Sequence, residues 1–155
     1  MGAIDVGVIS DTHGLVRPGA LAALAGAAAI VHAGDVGSSA VLTALAAIAP
    51  LTAVRGNNDA GPWADTLGAT ATLEVGGARI HVVHDLADLD VDPRAAGFAA
   101  VVSGHSHRPS IADRDGVLFV NPGSAGPRRF RLPIAVARLR LDGGRVSARL
   151  VELDG

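Results

Sequence analysis

Five short hydrophobic runs in this chain each end in side chains that can bind a cation. VGVIS runs into Asp11-Thr12-His13, AIVHA into Gly34-Asp35, and LTAVR into Gly56-Asn57. ARIHVV runs into His84, and AAVVS into Gly104-His105-Ser106-His107. In extended chain, residues i and i+2 point to the same side, so Asp11 with His13, and His105 with His107, can each reach one site together. Taken singly, a Gly-Asp after a strand is a turn or a helix cap, and a histidine in a strand is a hydrogen-bonded structural residue. Coincident turns do not explain two aspartates, an asparagine and four of the six histidines at successive strand ends.

The elements that would position these residues change character along the chain. VGVIS, AIVHA and LTAVR read as strands separated by two helical stretches, Pro18 to Ala27 and Ser39 to Ala49. Pro18 suits a first helical turn and Pro50 stops the second helix. This β-α-β-α-β series predicts parallel strands covered by helices, whose carboxyl ends line one edge where ligands bind. Glycine before a ligand is expected to permit the sharp backbone turn that aims the next side chain inward.

After residue 69 the strand candidates TATLEV, ARIHVVH, AAVVS, SIADRD, VLFVN, IAVARLRL and RVSARLVEL follow closely. GG, DG and DGG separate several of them, so this half reads as hairpins, with one short helix expected near Asp92 to Gly97. The expectation is an α/β chain of two packed sheets with helices outside, forming one domain over residues 1–155.

Composition narrows the chemistry further. There is no cysteine, which removes disulfides and thiolate zinc sites and leaves histidine, carboxylate and amide as ligands. A formal charge of -2 gives no general attraction to nucleic acid or anionic lipid, and no nucleic-acid-binding patch stands out. All 13 basic residues are arginine. The start MGAID does not resemble a secretory signal, and the uncharged run from Ala20 to Val31 is too short for a membrane span, so a cytoplasmic protein without membrane attachment is expected.

Asp11, His13, Asp35, Asn57, His84, His105 and His107 are too many for one tetrahedral ion and suit two metals sharing a carboxylate. Two divalent ions bring four positive charges; the aspartates remove two and a hydroxide one. The remaining positive charge favours an anionic substrate such as a phosphate ester, and paired ions can hold both oxygens of an in-line displacement. His32 lies inside its strand and at most supports the site. His81 sits mid-strand and is expected to pack or face solvent.

The order DTH (11–13), GD (34–35), GNND (56–59), His84 and GHSH (104–107) resembles the calcineurin-like metallophosphoesterases. VRGNND and NPGS (121–124) resemble their small bacterial and archaeal phosphodiesterase branch. The resemblance implies a four-layer αββα sandwich of two mixed sheets. It implies two divalent ions, manganese first, with iron, nickel or zinc as alternatives. Asp11, His13 and His107 would hold one ion, Asn57, His84 and His105 the other, with Asp35 bridging and a shared hydroxide attacking phosphorus. Asp35, Asn57 and His84 carry the catalytic share in that scheme, and the implied substrate is a small phosphodiester, nucleotide-derived among the candidates.

Two positions depart from the family pattern. Asn58 stands where relatives carry a histidine or cysteine, and an amide cannot act as a general acid, which favours diesters with good leaving groups. Asp85 stands where glycine is common and could orient a metal-bound histidine. Asn58, Asp59 and Asp85 are therefore candidates to support the ligands, and Ser124 could face the site. The alternatives are an interaction scaffold that keeps the fold without turnover, as a retromer subunit resembling this family does, and a two-metal hydrolase acting on something other than phosphate.

Overall fold

The computed structural model describes residues 2–129 and 131–153. It contains two five-stranded mixed sheets. The first has the order β10-β9-β1-β2-β3, formed by β1 (Ile4–Ile9), β2 (Ala29–His32), β3 (Leu51–Ala53), β9 (Ala135–Asp142) and β10 (Arg145–Glu152). The second has the order β4-β5-β6-β8-β7, formed by β4 (Thr70–Val75), β5 (Ala78–Val83), β6 (Ala100–Val102), β7 (Ser110–Arg114) and β8 (Val117–Asn121).

Alternation along the strands decides how the layers stack. Val6 and Val8 of β1, with Ala29 and Val31 of β2, face Ile80, Val82, Ala100, Val102 and Val120 of the other sheet, and the interior between the sheets is built from these side chains. The opposite face of the first sheet carries Ile9, Ile30 and Val136, which pack under Leu24 of α1 (Pro18–Leu24) and Val41 and Leu45 of α2 (Ser39–Ala46). Gly7 lets α1 come close, since a Cβ there would lie 2.6 Å from Leu24 Cδ2.

The outer face of the second sheet is covered more thinly. Val83, Val101 and Val117 pack against Leu86 and Leu89 from a 3-10 turn at Leu86–Asp88 and the residue after it. The short helix expected near Asp92 to Gly97 is instead a single closed turn: Asp92 Oδ1 accepts from the Arg94 and Ala95 N–H groups, and Gly97 ends it at φ 80°. Gly97 at positive φ closes the segment before a second turn can form.

Hairpins account for part of the second half. The pairs β4-β5, β7-β8 and β9-β10 are antiparallel, each joined by two residues at positive φ: Gly76-Gly77, Asp115-Gly116 and Gly143-Gly144. Between them, however, β5, β6 and β8 run parallel. The carboxyl ends of β5, β6 and β8 therefore sit at a sheet edge, as those of β1, β2 and β3 do.

Candidate metal centre

All seven predicted ligand residues meet at that shared edge. His107 Nε2 lies 3.4 Å from His13 Nε2 and 3.5 Å from Asp11 Oδ1. His84 Nε2 lies 3.4 Å from Asp35 Oδ2, 2.9 Å from Asn57 Oδ1 and 4.0 Å from Asp11 Oδ1. Asn57 Oδ1 is in turn 3.2 Å from His105 Nδ1, and Asp35 Oδ2 is 3.9 Å from His13 Nε2. Donor atoms bound to one ion at about 2.1 Å sit roughly 3–3.5 Å apart, so these are the spacings of ligands around a common centre. Asp35 lies between the two halves, within reach of His13 on one side and His84 on the other.

The side chains present fit cations. His84 Nδ1 donates to the Ala33 carbonyl at 2.7 Å, which leaves its Nε2 facing only oxygen atoms and the open site. A lone pair surrounded by acceptors needs a positive partner, either a proton or a metal. Asp11 Oδ1 is buried and has no hydrogen-bond partner among the described residues. A carboxylate oxygen so placed costs free energy unless a cation meets it.

Charge in the site follows the same logic. Burial pushes the Asp11 carboxyl up, against the Ser10 hydroxyl and the charges of His84 and His107. Burial also opposes ionisation of Asp35, but hydrogen bonds from His84 and Asn58 overcome it and hold that carboxyl below the usual range. His84 is raised, because its bonds to Asp35 and the Ala33 carbonyl and the charges of both aspartates outweigh its burial. His107 is lowered by burial, only partly offset by Asp11.

The backbone reveals what residue types alone did not. Asp11, His13, Asp35, His105 and His107 all have φ between 48° and 71°, and the only other non-glycine residue at positive φ among those described is Asp115 in a hairpin turn. The ligand residues themselves take the left-handed turn. Gly56 and Gly104 do not; they are glycine because of close approach. A Cβ on Gly104 would overlap Ser10 Oγ and come within 2.7 Å of Asp11 Oδ2, and one on Gly56 would overlap Asp35. The expectation that glycine supplies the turn is corrected at these positions, while Gly34, at φ 102°, does both.

Several residues hold the ligand loops in register. Asp59 accepts from Val36 N, Gly37 N and Gly56 N, tying the loop after β3 to the loop after β2. Asn58 grips Asp35 twice, through its backbone N–H at 2.9 Å and its amide at 3.0 Å. Asp85 caps the 3-10 turn through Ala87 N and places Oδ2 3.6 Å from His105 Nε2. Ser124 Oγ donates to the Asp11 carbonyl, so it supports the first loop and does not face the open site. Asn121 holds the fifth loop through Gly104 O and Ser106 Oγ.

His32 does more than the sequence indicated. Its Nδ1 accepts from Gly34 N, its Nε2 meets Thr12 Oγ1 at 2.9 Å, and that hydroxyl donates to Val36 O. One neutral imidazole thus fastens the loop bearing Asp11 and His13 to the loop bearing Asp35, and burial holds its pKa down at about 3. The signal for Asn121 was available, since it ends a strand like the ligands do; nothing in the sequence marked Thr12 and His32 as partners. His81 is buried against Phe98 at 4.9 Å between ring centroids, so of its two expected outcomes it packs.

Two facing mixed sheets with clustered histidine and carboxylate side chains at their strand ends define a metallophosphoesterase fold. Residues 4–144 match the calcineurin-like phosphoesterase superfamily domain, and the chain belongs to that superfamily. Among particular relatives, it is 30% identical over 162 residues to the protein named probable metallophosphoesterase in Methanothermobacter thermautotrophicus, covering 94% of this chain and 91% of the relative. Its fold is shared with a solved archaeal phosphodiesterase (TM-score 0.79, 21% identity, 97% of this chain and 100% of that one). It is also shared with Vps29 of Chaetomium thermophilum (TM-score 0.77, 19% identity, 97% of each chain). No helix among the described residues is long and apolar enough to cross a membrane.

Proposed function

We propose that this protein is a divalent-metal-dependent phosphodiesterase holding two ions between its sheets. The reading rests above all on His84, whose ring Nε2 faces the oxygens of Asp35, Asn57 and Asp11 at the open site. When bound, divalent cations lower the pKa of a water nucleophile and neutralise charge on phosphate oxygens.

The protein's own groups do the rest. Asp11, His13 and His107 form one ligand set and Asn57, His84 and His105 the other, with Asp35 placed to serve both. The Ala33 carbonyl fixes the His84 ring so that Nε2 stays available. Asn58 fixes Asp35 through two N–H bonds but has no proton to give a leaving group. Substrates whose departing oxygen needs no protonation are therefore favoured, which points to activated diesters over ordinary monoesters. The family resemblance puts manganese first among the metals, while the mixed nitrogen and oxygen ligands suit iron, nickel and zinc equally.

The test is hydrolysis of bis(p-nitrophenyl) phosphate. Stripping divalent metal is expected to abolish it, manganese to restore it, and Asp35→Ala to lose both activity and metal binding by calorimetry. Undiminished turnover in metal-free protein would overturn the reading. A second reading, a non-catalytic scaffold, draws support from Asn58 and from the fold shared with Vps29; metal binding by calorimetry without turnover of any diester would favour it.

A further inference from the structure

Outside the metal centre, His81 is the one described residue whose buried polar side-chain atoms are left without a partner. It is 6% exposed, and neither Nδ1 nor Nε2 makes a hydrogen bond to any described residue. A neutral imidazole carries one donor and one acceptor, and leaving both unmade in the interior costs free energy. The residues beside it in the sheet, Thr72 of β4 and Val101 of β6, bring no charge. On its own strand Arg79 lies two residues back on the same face and is ion-paired with Glu74 at 3.5 Å. From above, Phe98 stacks on the ring and the charge of Asp90 acts on it.

What buries the ring is the segment 86–98, the thin cover of the second sheet. Leu86 and Leu89 rest on Val83, Val101 and Val117, and Phe98 sits against His81 and, at 4.6 Å, the Arg79 guanidinium. The backbone bonds of the segment close on itself or on Asp85: Asp88 N to Asp85 O, Leu89 N to Leu86 O, Ala96 N to Asp92 O, Gly97 N to Arg94 O and Phe98 N to Pro93 O. Beyond Asp85, one hydrogen bond among the described residues ties it to the rest of the molecule, from the Arg79 guanidinium to Ala96 O. A segment held by Leu86, Leu89, Phe98 and that exposed bond opens at far less cost than the sheets beneath it. It also reaches the site, because Asp88 and Asp90 line the cavity of about 370 Å³ onto which Asn57, His84 and His105 open.

We propose that residues 86–98 form a hinged flap over the second sheet, that His81 beneath it is a proton-sensitive latch, and that opening widens the cavity beside Asn57, His84 and His105. The closed flap shuts water away from the ring, so burial pushes the pKa of His81 down, with the Asp90 charge offsetting this in part. In the open flap the ring meets water and titrates near its ordinary 6.5. A proton is therefore held more tightly in the open form, and opening becomes easier as pH falls below 6.5. The flap would act on whatever ligand the cavity takes, so the inference does not depend on the phosphodiesterase reading.

The chain has no cysteine, so a single thiol can report the opening. Val101→Cys places it beneath Leu86 and Leu89, and Val31→Cys, between the two sheets, reports global unfolding. Labelling of the full-length protein by methyl methanethiosulfonate is measured relative to free cysteine at each pH. At Val101→Cys it is expected to outpace Val31→Cys and to rise about threefold or more from pH 7 to pH 5. Adding His81→Phe, which removes the unmade bonds, should slow it at pH 7 by about fivefold or more and abolish the pH dependence. His81→Gln, polar but without a proton to gain, should abolish the pH dependence alone, and decides the matter if the phenylalanine variant does not fold. Equal labelling of the two thiols, a rate at Val101→Cys that ignores pH, or a pH dependence that survives the His81 substitutions overturns the inference. None of these outcomes involves turnover, so the phosphodiesterase reading stands or falls separately.

Discussion

Asn58 is the residue whose chemistry is most open to direct measurement. It grips Asp35 with backbone and side-chain donors on the two carboxylate oxygens. Asn58→His is expected to raise kcat/KM for monoesters with poor leaving groups by about tenfold or more, because an imidazolium can protonate the departing oxygen. Bis(p-nitrophenyl) phosphate, whose leaving group needs no proton, should gain far less. Steady-state rates on both substrate types test this, and an unchanged monoester-to-diester ratio would remove the general-acid argument. The ligand types were legible because each stands directly after a hydrophobic run. The left-handed backbone that aims five of them was not, since aspartate and histidine adopt ordinary φ almost everywhere else. His32 was partly legible: its burial followed from its strand, but its bond to Thr12 joins residues twenty apart.

At the level of elements, the site depends on loops that cross with almost no clearance. Gly104→Ala, which forces a methyl onto Ser10 and Asp11, is expected to destabilise the protein by about 1–3 kcal/mol and to weaken metal binding. Gly19→Ala in α1, where a Cβ meets nothing within 4 Å, should instead stabilise by up to about 1 kcal/mol. Urea denaturation of the two variants checks the contrast, and equal effects would refute the steric account. The alternating strands and the helices of the first half could be read from periodicity and from Pro18 and Pro50. The parallel run of β5, β6 and β8 could not, because a period of two reports which face is buried and says nothing of the neighbouring strand's direction. The turn after Asp92 carries the cap and proline of a helix start and stops short only because Gly97 turns at positive φ, which residue types alone do not place.

Across the whole molecule, six parallel strands from two sheets bring their carboxyl ends to one edge, and buried histidines couple that arrangement to pH. His32 has a folded pKa of about 3 against 6.5 when unfolded. Below pH 6.5 the unfolded chain therefore takes up a proton that the folded protein refuses, and stability falls as pH drops from 6.5 towards 3. His32 alone contributes about 1.4 kcal/mol per pH unit in that window. His81 and His107, lowered by burial, act in the same direction; Asp11, raised, acts against it, and His84, raised, opposes it only above pH 6.5, where its protonation favours the folded state. Urea midpoints of the metal-free protein at pH 7, 6 and 5 should decline; a flat or rising series would contradict the buried neutral ring. The left-handed residues carry a separate consequence. Each holds its backbone at a cost of about 1 kcal/mol that glycine would escape. A descendant released from chemistry would grow sturdier by surrendering them, so erosion at positions 11, 13, 35, 105 and 107 ahead of the surrounding core is the mark such a retirement would leave in its lineage.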